Sequence, residues 1–394
     1  MKKVLLTAMA LLTIASASVF GMYGVDGNDW INFLVHGNQF RARMNQLGFT
    51  LGNGTIKGTF GFKANTLIFG SVLNTSGKDN KNPLDATVSA GIGYTGDGFG
   101  IGVGYNYTYS GITGTTKGIN THTPVVTMNF LNNNLRIAIP VSIAVEKDIG
   151  TVGTMDRKDY LGIGIPAQIR YYTGIDAFNY IRFEFNYGLN RYNGVNAAAN
   201  TTTKYEAQSV SFQLRLHFLN TVIGNNVTVN PFLRIDFGST IGAKGKAVQY
   251  GTDGSPSNPL PGSYDQRFTA WAARGWREAT AGEEAYDREA YDLKIIPSVS
   301  LSVNTDIVNF IFEPGLGYRI QDDGIKGSKL SHTLYWQAYG EVYIRPVQDL
   351  EWYFEMDVNN GIPKLQGNPL ASGNTIPVVF GANTGITWYL PALQ

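Results

Sequence analysis

Apolar and polar residues alternate with a period of two along most of this chain. Phe99, Ile101, Val103, Tyr105, Tyr107 and Tyr109 are separated by Gly100, Gly102, Gly104, Asn106 and Thr108. Leu135, Ile137, Ile139, Val141, Ile143 and Val145 alternate with Arg136, Ala138, Pro140, Ser142 and Ala144. The scheme repeats over 161–171, 181–189 and 210–218, with Arg170, Arg182, Glu184, Gln213, Arg215 and His217 on the polar side. It returns over 295–303, 308–318, 334–344, 352–358 and 378–390. Alternation sustained over about ten residues predicts strands with one apolar and one polar face.

The connections choose between a soluble sandwich and a membrane barrel. Gly96-Asp97-Gly98, Asn132-Asn133-Asn134, Asn304-Thr305-Asp306 and Pro346-Val347-Gln348-Asp349 have the chemistry of tight hairpins. Polar stretches at 74–84, 110–122, 146–158, 190–204, 242–290, 319–331 and 360–375 read as long loops, and short and long connections alternate. A transmembrane antiparallel barrel needs that asymmetry, with short periplasmic turns and long external loops. The expected fold is therefore all-β. Aromatics near strand ends (Tyr105 and Tyr107, Tyr171 and Tyr172, Tyr335 and Trp336, Trp352 and Tyr353, Trp388 and Tyr389) would form the interfacial girdles. Counting from a first strand near 55–72 gives about 14 strands in a barrel spanning 55–394, with 22–54 as a separate N-terminal segment. In that segment Trp30, Phe33 and Leu34 recur at helical spacing behind Asp29, which suits a helix or plug. Alternatively, Phe40 to Leu51 is one strand and 29–36 its partner, which makes 16.

Composition narrows the function. Only 15% of the 394 residues are charged, glycine numbers 47 and aromatics reach 12%, which excludes disorder and argues against a helical enzyme. A formal net charge of +1 leaves no footprint for nucleic acid. With no cysteine, disulfides, thiolate metal sites and thiol nucleophiles are excluded. Lys2 and Lys3 ahead of an apolar run from Val4 to Ala15 read as a signal peptide, with cleavage after Ala17 or Gly21. The chain is thus expected to be exported.

Met22-Tyr23-Gly24, Trp30, Gly37-Asn38-Gln39, Arg41-Ala42-Arg43-Met44, Gln46-Leu47-Gly48-Phe49 and Gly58-Thr59-Phe60-Gly61-Phe62 resemble the start of the mature variable surface proteins of intestinal spirochaetes, the Brachyspira Vsp family. The resemblance covers roughly residues 1–65. It implies an abundant outer-membrane surface antigen seen by host antibodies, and it favours a signal peptide of residues 1–21. It supplies no catalytic residues. The terminal Leu390-Pro391-Ala392-Leu393-Gln394 lacks the final aromatic usual in bacterial barrels.

Candidate chemistry is sparse. Gly91-Ile92-Gly93-Tyr94-Thr95-Gly96 spells a dinucleotide fingerprint but leads into a strand, so it reads as a hairpin. His36, His122, His217 and His332 are scattered, and no metal, cofactor or catalytic set is expected. Two roles survive: a surface antigen, and a passive diffusion channel for small solutes; a non-conducting adhesin is the alternative, and a barrel enzyme a remote one. The surrounding partners would be outer-membrane lipid and host antibodies or host surface, with an oligomer allowed. The loop 242–290, rich in charge over 263–292, would form a solvated external helix or fold into the lumen. Inward glycines at 91, 93, 100, 102 and 104 clear space there, for which 28–47 competes. Taking the polar face as inward, Arg136, Arg170, Arg182, Arg215 and Arg234 line one wall, offset by Glu184 and Asp236. Glu313, Glu341, Glu351, Glu355 and Asp357 line the opposite one, offset by Arg345. Two such walls would let zwitterions pass with little net ion selectivity. Otherwise each charge pairs with a neighbour, Arg215 with Asp236 for example.

Overall fold

The computed structural model describes residues 29–43, 46–64, 85–110, 117–152, 154–248, 276–360 and 379–392. The expected signal peptide lies outside them. The described strands form one closed antiparallel sheet. They are β1 (Gln39–Arg43), β2 (Gln46–Gly52), β3 (Ile56–Ala64), β4 (Asp85–Thr95), β5 (Phe99–Ser110) and β6 (Ile119–Phe130). Next come β7 (Leu135–Pro140 continued by Ser142–Val152), β8 (Met155–Ile175), β9 (Phe178–Asn196), β10 (Thr201–Phe218) and β11 (Val227–Thr240). The last are β12 (Tyr291–Asn304), β13 (Val308–Asp322), β14 (Ser331–Val347), β15 (Leu350–Asn359) and β16 (Val379–Tyr389). Each pairs with its sequence neighbour, and β16 pairs with β1 from Gln39↔Tyr389 to Arg43↔Gly385. The barrel is complete at 16 strands.

The favoured count of 14 is therefore corrected. The two extra strands come from splitting 39–52 into Gln39–Arg43 and Gln46–Gly52, which pair antiparallel, and not from pairing 29–36. Parity explains the split. Phe40 and Ala42 share one face with odd-numbered Leu47 and Phe49, and a single strand would put them on opposite faces. Residues 29–36 form instead a short 3₁₀ turn, Asp29–Asn32, and its continuation inside the barrel.

The turns at 53–55, 96–98, 131–134, 176–177, 305–307 and 348–349 share one rim with the start of β1 and the end of β16, whereas the long connection between β11 and β12 lies on the other, together with the short connections from β1 to β2, β7 to β8 and β9 to β10. Backbone conformation fits the turn sequences: Gly98 has φ 78°, and Leu131, Asn132 and Asn133 take 55°, 54° and 68°. Two expected loops prove to be strand. Most of 146–158 and 190–204 extends β7 to β10, with strand ending at Val152 and resuming at Met155 and a connection at 197–200.

The outer face is apolar. Leu47, Ile92, Val103, Leu316, Leu334 and Trp388 are each about half exposed there. In water each would forgo about 1.5–3 kcal/mol, whereas a hydrocarbon surround removes that cost. Closure also leaves no unpaired strand edge in the hydrocarbon. The expected girdle holds only in part: Tyr105, Tyr107, Trp352 and Trp388 face outward, but Tyr335 and Tyr353 are buried on the lumen side.

The described part of the 242–290 connection is neither helix nor plug. Trp276 pairs with Val248 and with Glu206 of β10, and Tyr286 bridges to Ile325. Trp276, Tyr286, Ala243, Ala290 and Ile325 close a small apolar core over the rim. The Glu289 carboxylate accepts the N–H groups of Gly242, Ala243 and Lys244 at 3.1–3.2 Å and the Thr240 hydroxyl at 2.6 Å. Residues 263–275 lie outside the described residues.

One exposed pair gives this cap a pH dependence. Arg277, donating to Glu283 at 2.7 Å, holds that carboxyl down to about 2, helped by the Thr280 N–H at 2.9 Å. A depressed carboxyl stabilises above its unfolded value, 4.5, and the contribution is lost as pH falls towards about 2. Pepsin digestion of the refolded protein at a series of acid pH values should nick 276–290 increasingly as pH drops through that window, with the strands intact. Cleavage there at a pH-independent relative rate would contradict it.

Candidate functional site in the barrel lumen

The inward parity of β7 to β11 places arginine at one rung on five successive strands. The cross-strand partners are Arg136↔Arg170, Arg170↔Arg182, Arg182↔Arg215 and Arg215↔Arg234. All five face the lumen in one continuous row. Like charges directly opposite on neighbouring strands repel. The row is held by interleaved acceptors: Arg182 Nε donates to Glu184 at 2.8 Å, and Arg234 Nε to Asp236 at 2.9 Å. Arg215 Nε donates to Gln213 at 2.8 Å, so the expected Arg215–Asp236 pair is replaced by Arg234–Asp236.

The acidic residues gather on β13 to β15. Glu341 lies opposite Glu355, and the next rung carries Glu313, Tyr339 and Asp357. Tyrosines satisfy part of this cluster: Tyr343 donates to Glu341 at 2.9 Å, Tyr339 also donates to Glu341, and Tyr353 donates to Glu355. Glu351 sits apart towards the tight-turn rim, bound by Arg345 at 2.9 Å and Tyr389 at 3.1 Å.

The two groups meet. Arg215 reaches past two intervening strands to Glu313 at 3.6 Å, and Arg234 donates to Gln337 at 3.0 Å. Between them lies a cavity of about 300 Å³, lined by Arg182, Arg215 and Arg234 on one side and Glu313, Glu355 and Asp357 on the other. Tyr335, Gln337 and Tyr339 complete its wall. His217, beside Arg215, is buried on the lumen side, bonded to Asn230 at 2.6 Å and stacked on Phe232.

Arg136 and Arg170 do different work. Each donates to the Asn32 side-chain oxygen, at 3.1 and 3.4 Å, and so grips the N-terminal segment. That segment fills the tight-turn half of the lumen beside β4 to β7. Trp30, Ile31, Phe33 and Leu34 are fully buried, in one cluster with Val125 and Ala138. The inward glycines form their cradle: a Cβ at Gly91 would lie 2.5 Å from the Trp30 ring, and one at Gly104 closer still. Lys57 donates to the Leu34 carbonyl at 3.1 Å and also to that of His36. The space is taken by the N-terminal segment, not by the described part of the long loop.

The variable surface protein profile, described from Serpulina hyodysenteriae, matches residues 2–389. The chain belongs to this family. No curated protein matches it. Among solved structures, the translocator domain of autotransporter NalP from Neisseria meningitidis is similar at 12% identity and a TM-score of 0.34, over 92% of each chain. The CymD monoaromatic hydrocarbon channel is similar at 10% identity and 0.35, over 94% of each. At those scores neither overlap adds to what the closed sheet itself establishes.

In this variable surface protein the N-terminal block that carried the resemblance has identifiable physical roles. Trp30 anchors the segment in its glycine cradle, while Arg41 and Arg43 face the lumen from β1. Arg43 lies over the Tyr353 ring at 4.2 Å. These lumenal arginines were missed because the change of parity between β1 and β2 hid which face of 39–43 is inward.

Truncating Trp30 to Ala should cost the docked segment about 3 kcal/mol. A sharper probe uses the absence of native cysteine. Ile31→Cys should resist maleimide labelling in the folded barrel and become at least about tenfold more reactive when Gly104→Val expels Trp30. Equal labelling in both backgrounds would mean that the segment is not seated in the cradle.

Proposed function

We propose that this variable surface protein is an outer-membrane barrel that displays its long connections at the cell surface as antigen and carries small solutes through a constricted lumen. The observation that carries the channel reading is the arginine row facing an acidic cluster across a polar cavity. A barrel serving only as a loop scaffold has no need of charges in its lumen, where each must be compensated. Sixteen strands leave room for water once side chains are placed. In this reading the 3₁₀ segment narrows the tight-turn half and the charged cavity sets what passes.

Sidedness follows from the asymmetry of the rims. The rim that carries the 96–98 and 131–134 turns faces the periplasm, and the extended strands β7 to β10, with the Trp276–Tyr286 cap, rise outside the membrane where antibodies reach them. An epitope tag in the 197–200 connection should label on intact cells, and one at 96–98 should label only after permeabilisation. The opposite pattern would invert the topology.

The refolded protein should form discrete conductance steps in planar bilayers, and deleting 29–36 should enlarge them. Absence of any conductance from both forms would leave display as the sole role.

A further inference from the structure

We infer that the cavity between the arginine row and the acidic cluster is a saturable site for a small amino acid, with its carboxylate on Arg215 and its ammonium on Glu355 and Asp357. This deepens the channel reading and rests on the same lumen. Three features point to a bound solute and not merely to a water-filled gap. The space is on the scale of one small molecule and partly open to the lumen, with about 300 Å³ available. Its walls are polar and pre-organised: Glu313 and Tyr335 are almost wholly buried, and the arginines are fixed by their own row. Its charge is divided into two poles, so a ligand that carries both signs is matched at both ends.

Charge also ranks the ligands. Arg182 and Arg234 are already neutralised within their row by Glu184 and Asp236. Arg215 shares those two carboxylates only at a distance, since its own hydrogen bond in the row goes to Gln213, and its approach to Glu313 is the long one at 3.6 Å. Three arginines to two row carboxylates leave one guanidinium in excess, set against the carboxyl groups of Glu313, Glu355 and Asp357. An amino acid with a second ammonium complements that imbalance better than a neutral one, and an acidic side chain opposes it. The expected order is lysine over alanine over glutamate.

Titration calorimetry of the refolded full-length protein in detergent, at fixed ionic strength, reads the site without requiring conduction. Lysine should bind saturably and about tenfold more tightly than alanine, while acetate and methylammonium, each bearing one pole, should bind far more weakly than either. Arg215→Gln should weaken both amino acids, and Asp357→Asn should remove the preference for lysine. The ligand series on the native protein stands even if a variant fails to fold. No saturable heat with lysine, or equal heats from lysine, acetate and methylammonium, would overturn the site. Binding without conductance would sink the channel reading alone, and conductance unaffected by lysine with no binding would sink the site alone.

Discussion

Closure of the sheet by β1 and β16 is the constraint on which everything else in this molecule depends. Five residues, Gln39 to Arg43, pair with Gly385 to Tyr389 and remove the last free edge. Left open, those backbone groups would face hydrocarbon unsatisfied, at several kcal/mol each. The seam is close: a Cβ at Gly385 would lie 2.6 Å from the Ala42 carbonyl oxygen. Once the seam is shut, inward and outward are defined for every strand. The alternating sequence then sorts its polar residues into a lumen and its apolar ones into a lipid-facing surface.

A lumen built this way concentrates charge, and the electrostatics explain its layout. Two unit charges at 4 Å interact by about 4 kcal/mol at an effective dielectric constant near 20. A row of five guanidiniums is tolerable only with counter-charges close by. Glu184 and Asp236 supply them within the row, and Glu313 supplies one from the far side of β12. Arg136 and Arg170 use a different compensation, the Asn32 oxygen of the docked segment. The same row therefore holds the N-terminal segment at one end and shapes the charged cavity at the other.

Much of this was legible in the sequence. Period-two alternation identified the strands and the rims, and the polar parity identified all five arginines as one set. Their alignment at a single rung was not legible, because it depends on the register set by the four connections between Val152 and Met155, at 176–177, at 197–200 and at 219–226. A one-residue change in any of them would break the row. The division of 39–52 into two strands left a readable trace in the parity of Phe40 and Phe49, but no turn residue advertises it as Gly52-Asn53-Gly54 does for the next hairpin. The helical spacing of Trp30, Phe33 and Leu34 was visible. Its destination was decided by distant glycines that make sense only once β4 and β5 are paired.

In the proposed channel, the arginine row sets the field inside the lumen. Reversal potential in a salt gradient, measured for the native protein and for the Arg182→Gln, Arg215→Gln, Arg234→Gln triple variant, tests it most directly. The native channel should show a mild cation preference, because the cavity's three arginines offset only part of its surrounding carboxyl groups, and the variant should shift clearly further towards cation selectivity as those groups are left unopposed. An unmoved reversal potential in the variant would contradict the account.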